Sequence, residues 1–121
     1  MRRDLSQESR PTVSPAIFQI LVALADQDRH GYAIMQDVAA RTDGRMKLSP
    51  GTLYGSIKRM LDDGLIAELD ERPDPDHDDE RRRYYRLTRF GREVAQAEAD
   101  RLATLLRQAR AVGLAPRRST S

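Results

Sequence analysis

The chain has 121 residues, of which 39% are hydrophobic and 33% charged, with a formal net charge of +2. This suits one folded domain with a modest core and excludes a chain disordered by composition. Cysteine is absent, which excludes disulfides and thiolate metal sites. No apolar run approaches the roughly 20 residues that span a bilayer and the N-terminus lacks a signal-peptide core, so a cytoplasmic protein with no membrane partner is expected.

Residues 1–13 are polar and without periodicity, and read as a flexible N-terminal arm. Ser14–Pro15 is a helix start: the serine can cap, and proline fits the first turn, where a missing N–H costs nothing. Ile17, Ile20, Leu21 and Leu24 then recur at helical spacing, and the helix should end near Asp26–Asp28. His30–Gly31 opens a second helix, with Tyr32, Met35, Val38 and Ala39 on one side and Thr42–Asp43–Gly44 as its end. Tyr32, first on that side, is expected in the core, and His30 to order the start of the helix.

Ser49 to Asp63 is the third helix. Ser49–Pro50 starts it, Gly64 supplies the left-handed residue that stops it, and Leu53, Ile57, Met60 and Leu61 form its buried stripe. Its other face carries Gly51, Thr52, Gly55, Lys58 and Arg59. Two glycines are costly there, roughly 1 kcal/mol each relative to alanine. A face kept flat, small and positive suits close approach to a nucleic-acid backbone.

After Gly64 the period changes. Leu65–Leu69 and Arg83–Leu87 read as two strands, with Tyr85 and Leu87 sharing a face with Arg83. The proline-containing acidic loop Pro73–Glu80 joins them into a long hairpin. Thr88 can cap a fourth helix running to about Val112, roughly 37 Å at 1.5 Å per residue. It carries Phe90, Val94, Leu102, Leu105, Leu106, Ala109 and Val112. One small domain cannot bury a stripe of that length, and a second copy is the simplest partner. Residues 113–121 look like a flexible basic tail.

The net charge conceals strong local charge. Residues 41–59 carry +4, residues 70–80 carry −6, and residues 81–92 carry +6. Screening confines each block to about 10 Å of reach, so the local fields survive the cancellation. Asp74, Asp76 and Asp78 superficially resemble a calcium loop, but the glycine at position six is missing and Tyr85 stands where a bidentate glutamate is needed. Two histidines far apart in sequence do not complete a zinc set. No nucleophile–base spacing or phosphate-binding glycine loop is present, so neither catalysis nor a cofactor is expected.

Three helices and a β-hairpin are the parts of a winged helix-turn-helix, here mainly α with a small β-hairpin and a long C-terminal dimerisation helix. The domain boundaries expected are 14–88 for the winged helix and 89–112 for the dimerisation helix. In such a fold the third helix lies in the major groove, about 12 Å wide. The candidate DNA-binding residues are Ser49, Gly51, Thr52, Tyr54, Gly55, Lys58 and Arg59, with Arg81 and Arg82 on the hairpin as phosphate ligands. Val94, Leu102, Leu105, Leu106 and Ala109 are the candidate dimer seam. The bland readings are that Lys58 and Arg59 are solvated charges, that Ser49 only caps, and that Arg81–Arg83 only balance the acidic loop.

Four blocks also carry a family likeness: His30–Gly31–Tyr32, Leu48–Ser49–Pro50–Gly51–Thr52–Leu53–Tyr54, Asp63–Gly64–Leu65–Ile66 and Arg83–Tyr84–Tyr85–Arg86–Leu87–Thr88. In order and spacing, over about Ile17 to Gly91, they resemble the PadR family of bacterial transcriptional regulators, and the single helix after the wing resembles its smaller subfamily. The resemblance implies a homodimeric repressor that reads an inverted-repeat operator in double-stranded DNA, with a small apolar or phenolic effector as a further implied partner. Two departures stand out. Gly55 replaces a common proline, and the acidic wing tip would be repelled by phosphate. The rival reading is a winged-helix module that binds protein through that wing.

Overall fold

In the computed structural model, residues 13–69 and 83–115 are described. The order is α1 (Pro15–Asp26), β1 (Arg29–His30), α2 (Gly31–Arg41), α3 (Pro50–Asp62), β2 (Ile66–Glu68), β3 (Tyr84–Leu87) and α4 (Arg89–Ala111). The four helices match the four read from the sequence to within a residue or two. The acidic loop, Arg81 and Arg82, the arm up to residue 12 and the tail from residue 116 lie outside the described residues. Val13, assigned above to the arm, packs against the core.

Each helix start is a local event. Ser14 Oγ accepts from the Ile17 N–H, Ser49 Oγ from the Thr52 N–H and Thr88 Oγ1 from the Gly91 N–H, each satisfying one orphan donor of a first turn. His30 caps α2 in the same way: its Nδ1 accepts from the Ala33 N–H at 3.1 Å. The end of α3 is a Schellman closure. Gly64 takes φ +75°, its N–H reaches the Leu61 carbonyl, and the Leu65 N–H reaches that of Met60.

The sheet holds one strand more than the expected hairpin. Its order is β1-β3-β2, all antiparallel, with Arg29 opposite Tyr85 and Ile66 opposite Leu87. β1 is two residues long, too short to leave a periodic signal, and exists because β3 offers it an edge. The core is one cluster in which Ile20, Leu21, Ile34, Val38, Leu53, Met60 and Leu65 are fully buried. In α2 the inward face is Gly31, Ile34 and Val38, so Tyr32 is 51% exposed and the expectation of a core tyrosine is overturned. Residues 31, 34 and 38 fit the helical period as well as 32, 35 and 39 do, and packing on α1 decides between them.

α4 leaves the hairpin at Thr88, whose hydroxyl also donates to the Gly64 and Leu65 carbonyls at 2.6 and 3.0 Å. One turn later the helix backbone crosses the Leu65 carbonyl so closely that a Cβ on Gly91 would sit 1.9 Å from that oxygen. Gly91→Ala is therefore expected to destabilise the fold by at least about 2 kcal/mol, because backbone must move on both sides. Equilibrium urea unfolding measures this, and an unchanged midpoint would mean that α4 can tilt away freely.

Candidate nucleic-acid interface

α2 and α3 are joined by a turn that the chain ties to itself. The Thr42 hydroxyl donates to the Val38 carbonyl at 2.8 Å and accepts the Met46 N–H at 3.0 Å. Asp43 and Gly44 both take positive φ, which aspartate tolerates and glycine favours. The turn sets α3 across the molecule with Leu53, Ile57 and Met60 inward. At 100° per residue, Gly51, Gly55, Lys58 and Asp62 then share the outward face, flanked by Tyr54 on one side and by Thr52 and Arg59 on the other.

That outward face is bare. Gly51, Thr52, Tyr54, Gly55, Lys58 and Arg59 are all exposed. A Cβ added at Gly51 or Gly55 would meet nothing within 4 Å. Nothing in the described fold thus requires a glycine at either position. Ser49, also exposed, accepts from the Thr52 N–H and donates its own hydroxyl proton to Thr52 Oγ1 at 3.0 Å. It acts as a cap within this chain.

Tyr54 reaches from α3 over the start of α2. A Cβ on Gly31 would lie 2.7 Å from the Tyr54 hydroxyl oxygen, so the absence of a side chain at position 31 makes room for the ring. Tyr32 and Tyr54, both about half exposed, line a cleft of about 400 Å³ between the α2 start, α3 and the sheet. Ile57, Lys58, Leu61, Glu68, Arg83 and Tyr85 complete it. Burial pushes the Tyr85 phenol above its ordinary range, with Glu68 adding to the effect, so it stays neutral.

The cations are not equivalent. Arg59 lies 3.9 Å from Asp63 one turn on. Arg83 pairs with Glu68 at 3.1 Å, and that hydrogen bond holds its guanidinium charged more firmly than usual. Arg86 pairs with Asp28 at 2.8 Å. Lys58 makes no ion pair or hydrogen bond with any described residue. Tyr32 is the residue that sequence reasoning placed elsewhere. Its position directly after Gly31 was visible, but its exposure depends on which way α2 is rolled.

On α4 the seam candidates separate into two groups. Val94 is 5% exposed and packs in the core of its own chain. Leu102, Leu105 and Leu106 are 39–45% exposed, and Ala109 is half-buried. Val112 and Leu114 are more exposed still. Among the described residues no group of three or more His, Cys, Asp or Glu could hold a metal, and no helix is long and apolar enough to cross a membrane.

Comparison with known proteins agrees with this geometry. A sequence model described as the transcriptional regulator PadR-like family matches residues 20–97. An uncharacterised 37.1 kDa protein of a Streptomyces fradiae transposon is 37% identical over 86 residues, which are 71% of this chain and 22% of that protein. The chain therefore spans less than a quarter of that relative. A PadR family transcription regulator from Clostridium difficile R20291 superposes with a TM-score of 0.67 at 23% identity, over 82% of this chain and 98% of the other. A transcriptional regulator from Clostridium thermocellum gives 0.65 at 24% identity, over 77% and 87%. At these identities the two structures establish the fold.

The empty space above Gly55 gives a stability test. Gly55→Ala should stabilise the isolated protein by up to about 1 kcal/mol, since alanine is the better helix former and nothing obstructs its methyl group. Thermal and urea unfolding would read it, and a loss of stability would show that the outward face is covered.

Proposed function

Because the chain belongs to the PadR-like family of transcriptional regulators, we propose that it binds double-stranded DNA as a homodimer, with α3 as the reading helix. The observation that supports this best is the outward face of α3. It gives up helix stability at two glycines whose Cβ positions face open space, and beside them stands Lys58, a cation with no ion pair among the described residues. A surface of this kind lets a helix backbone approach base edges and sugar-phosphate closely, and a groove can take one helix.

The roles then divide. Lys58 and Arg59 contact phosphate or base edges, with Arg59 first giving up Asp63. The hydroxyls of Tyr54 and Tyr32 extend the phosphate contact toward α2, and Thr52 offers a methyl group to a thymine. Arg81 and Arg82 are read as further phosphate ligands. Exposed Leu102, Leu105, Leu106 and Ala109 form the seam with a second copy, since a row of half-exposed leucines marks an interaction surface. Val94 leaves the seam because it is already used inside the protomer.

A two-fold pair of α3 helices would meet successive major grooves about 34 Å apart, so the operator is an inverted repeat. Where it overlaps a promoter, binding represses, and the protein acts as a cytoplasmic regulator without catalysis. A small apolar or phenolic effector that loosens the dimer belongs to the same reading.

Selection of bound fragments from the source genome, followed by titration of the recovered site, tests the whole reading. Lys58→Ala should weaken operator binding by about 1–3 kcal/mol and flatten the salt dependence by about one unit if the lysine holds a phosphate. A module that binds only protein would recover no site and show little DNA affinity at any salt. Leu105→Asp should split or unfold the dimer, and an unchanged mass in light scattering would refute the seam.

A further inference from the structure

Six arginines fall in residues 81–92 without one acid between them, and on charge alone each is a phosphate ligand. The cleft beside α3 tells against this for Arg83. Its Nη1 donates to both carboxylate oxygens of Glu68, at 3.1 and 3.3 Å. Glu68 comes from β2, where it lies opposite Tyr85 in the strand pairing. Both side chains line the same cleft as Lys58, Tyr32 and Tyr54. Lys58, Tyr32 and Tyr54, assigned above to the phosphate backbone, therefore share their cleft with a carboxylate, and the arginine beside it is already engaged.

A carboxylate there has no structural need behind it. Glu68 and Arg83 are both exposed, with side chains 38% and 64% accessible, and exposed pairs of this kind contribute little to stability. The other hairpin pair, Arg86 with Asp28, joins β3 to the segment after α1 and is absent from the cleft lining. Glu68 differs in sharing its cleft with Lys58, Tyr32 and Tyr54.

We propose that Glu68 limits affinity: its carboxylate, held in the cleft by Arg83, repels the phosphate backbone and withdraws Arg83 from the phosphate ligands. The assignment rests on the DNA-binding reading above. Phosphate contacts are blind to sequence, so a negative charge among them weakens the grip on every duplex and leaves relatively more of the binding free energy to base contacts by α3. Lys58 is then the main cation of the cleft. Arg83 serves as a positioning residue that keeps the carboxylate in place and compensates it.

The test is a salt titration of the full-length protein on two 30-base-pair duplexes, one carrying a selected site and one of random sequence. Glu68→Gln keeps the size and polarity of the side chain, removes the charge and frees Arg83. Affinity for both duplexes should rise three- to tenfold at 0.1 M salt, and the log–log salt dependence should steepen by up to about 0.9. A damaged fold could only lower affinity, so a rise cannot come from misfolding. Glu93→Gln on α4, outside the cleft, is the control. Screening over about 10 Å should leave its affinity within twofold of the parent. Equal gains in the two variants would overturn the assignment, because net charge alone would then explain them. So would unchanged binding in Glu68→Gln. If the parent itself binds neither duplex, the DNA-binding reading falls, whereas a binding parent with an indifferent Glu68→Gln removes only this assignment.

Discussion

The Leu65 carbonyl is the point through which the geometry of the molecule passes. It accepts the Thr88 N–H and hydroxyl, both at 3.0 Å, and α4 crosses it where Gly91 has no side chain. The residue before it, Gly64, closes α3. Two adjacent backbone positions therefore fix where α3 stops, where the hairpin begins and at what height the long helix leaves. The outward face of α3 and the leucines of α4 keep a defined relation because both are tied here, through contacts that tolerate little displacement. A dimer built on α4, as proposed, would inherit that relation, and with it the spacing of its two α3 helices.

α3 divides its residues sharply. Leu53, Ile57 and Met60 are buried to 3% exposure or less, and they hold the helix without help from the opposite face. That opposite face is thus free to carry glycines that no packing constraint explains. The buried stripe and the solvent-facing surface are made by different residues of one helix, so either can be altered with little effect on the other.

Charge is apportioned in the same way. Arg29 and Arg41 bridge Asp26 and Asp37, tying α1, β1 and α2 together. Arg83 and Arg86 are occupied by Glu68 and Asp28. The count of arginines in the sequence thus overstates the cationic surface, and Lys58, one lysine on α3, stands apart from these pairs. Affinity for a polyanion depends on the cations left unpaired, since a paired cation adds little net field.

The helices, their caps and the inward stripe of α3 were legible in the sequence because each is a local matter. A serine or threonine meets an N–H three residues on, and apolar residues repeat within one helix turn. The bare face of α3 was legible for the same reason. The pairing of Arg29 with Tyr85, the exposure of Tyr32, the burial of Val94 and the hold of Glu68 on Arg83 were not. Each joins residues distant in the chain or depends on how a helix is rolled against its neighbours, and helical periodicity permits more than one roll. Gly91 shows the division most plainly. The sequence determined that a glycine stands in the first turn of α4. Only the tertiary structure decided that it must be one, because the carbonyl that excludes a side chain belongs to Leu65, 26 residues earlier.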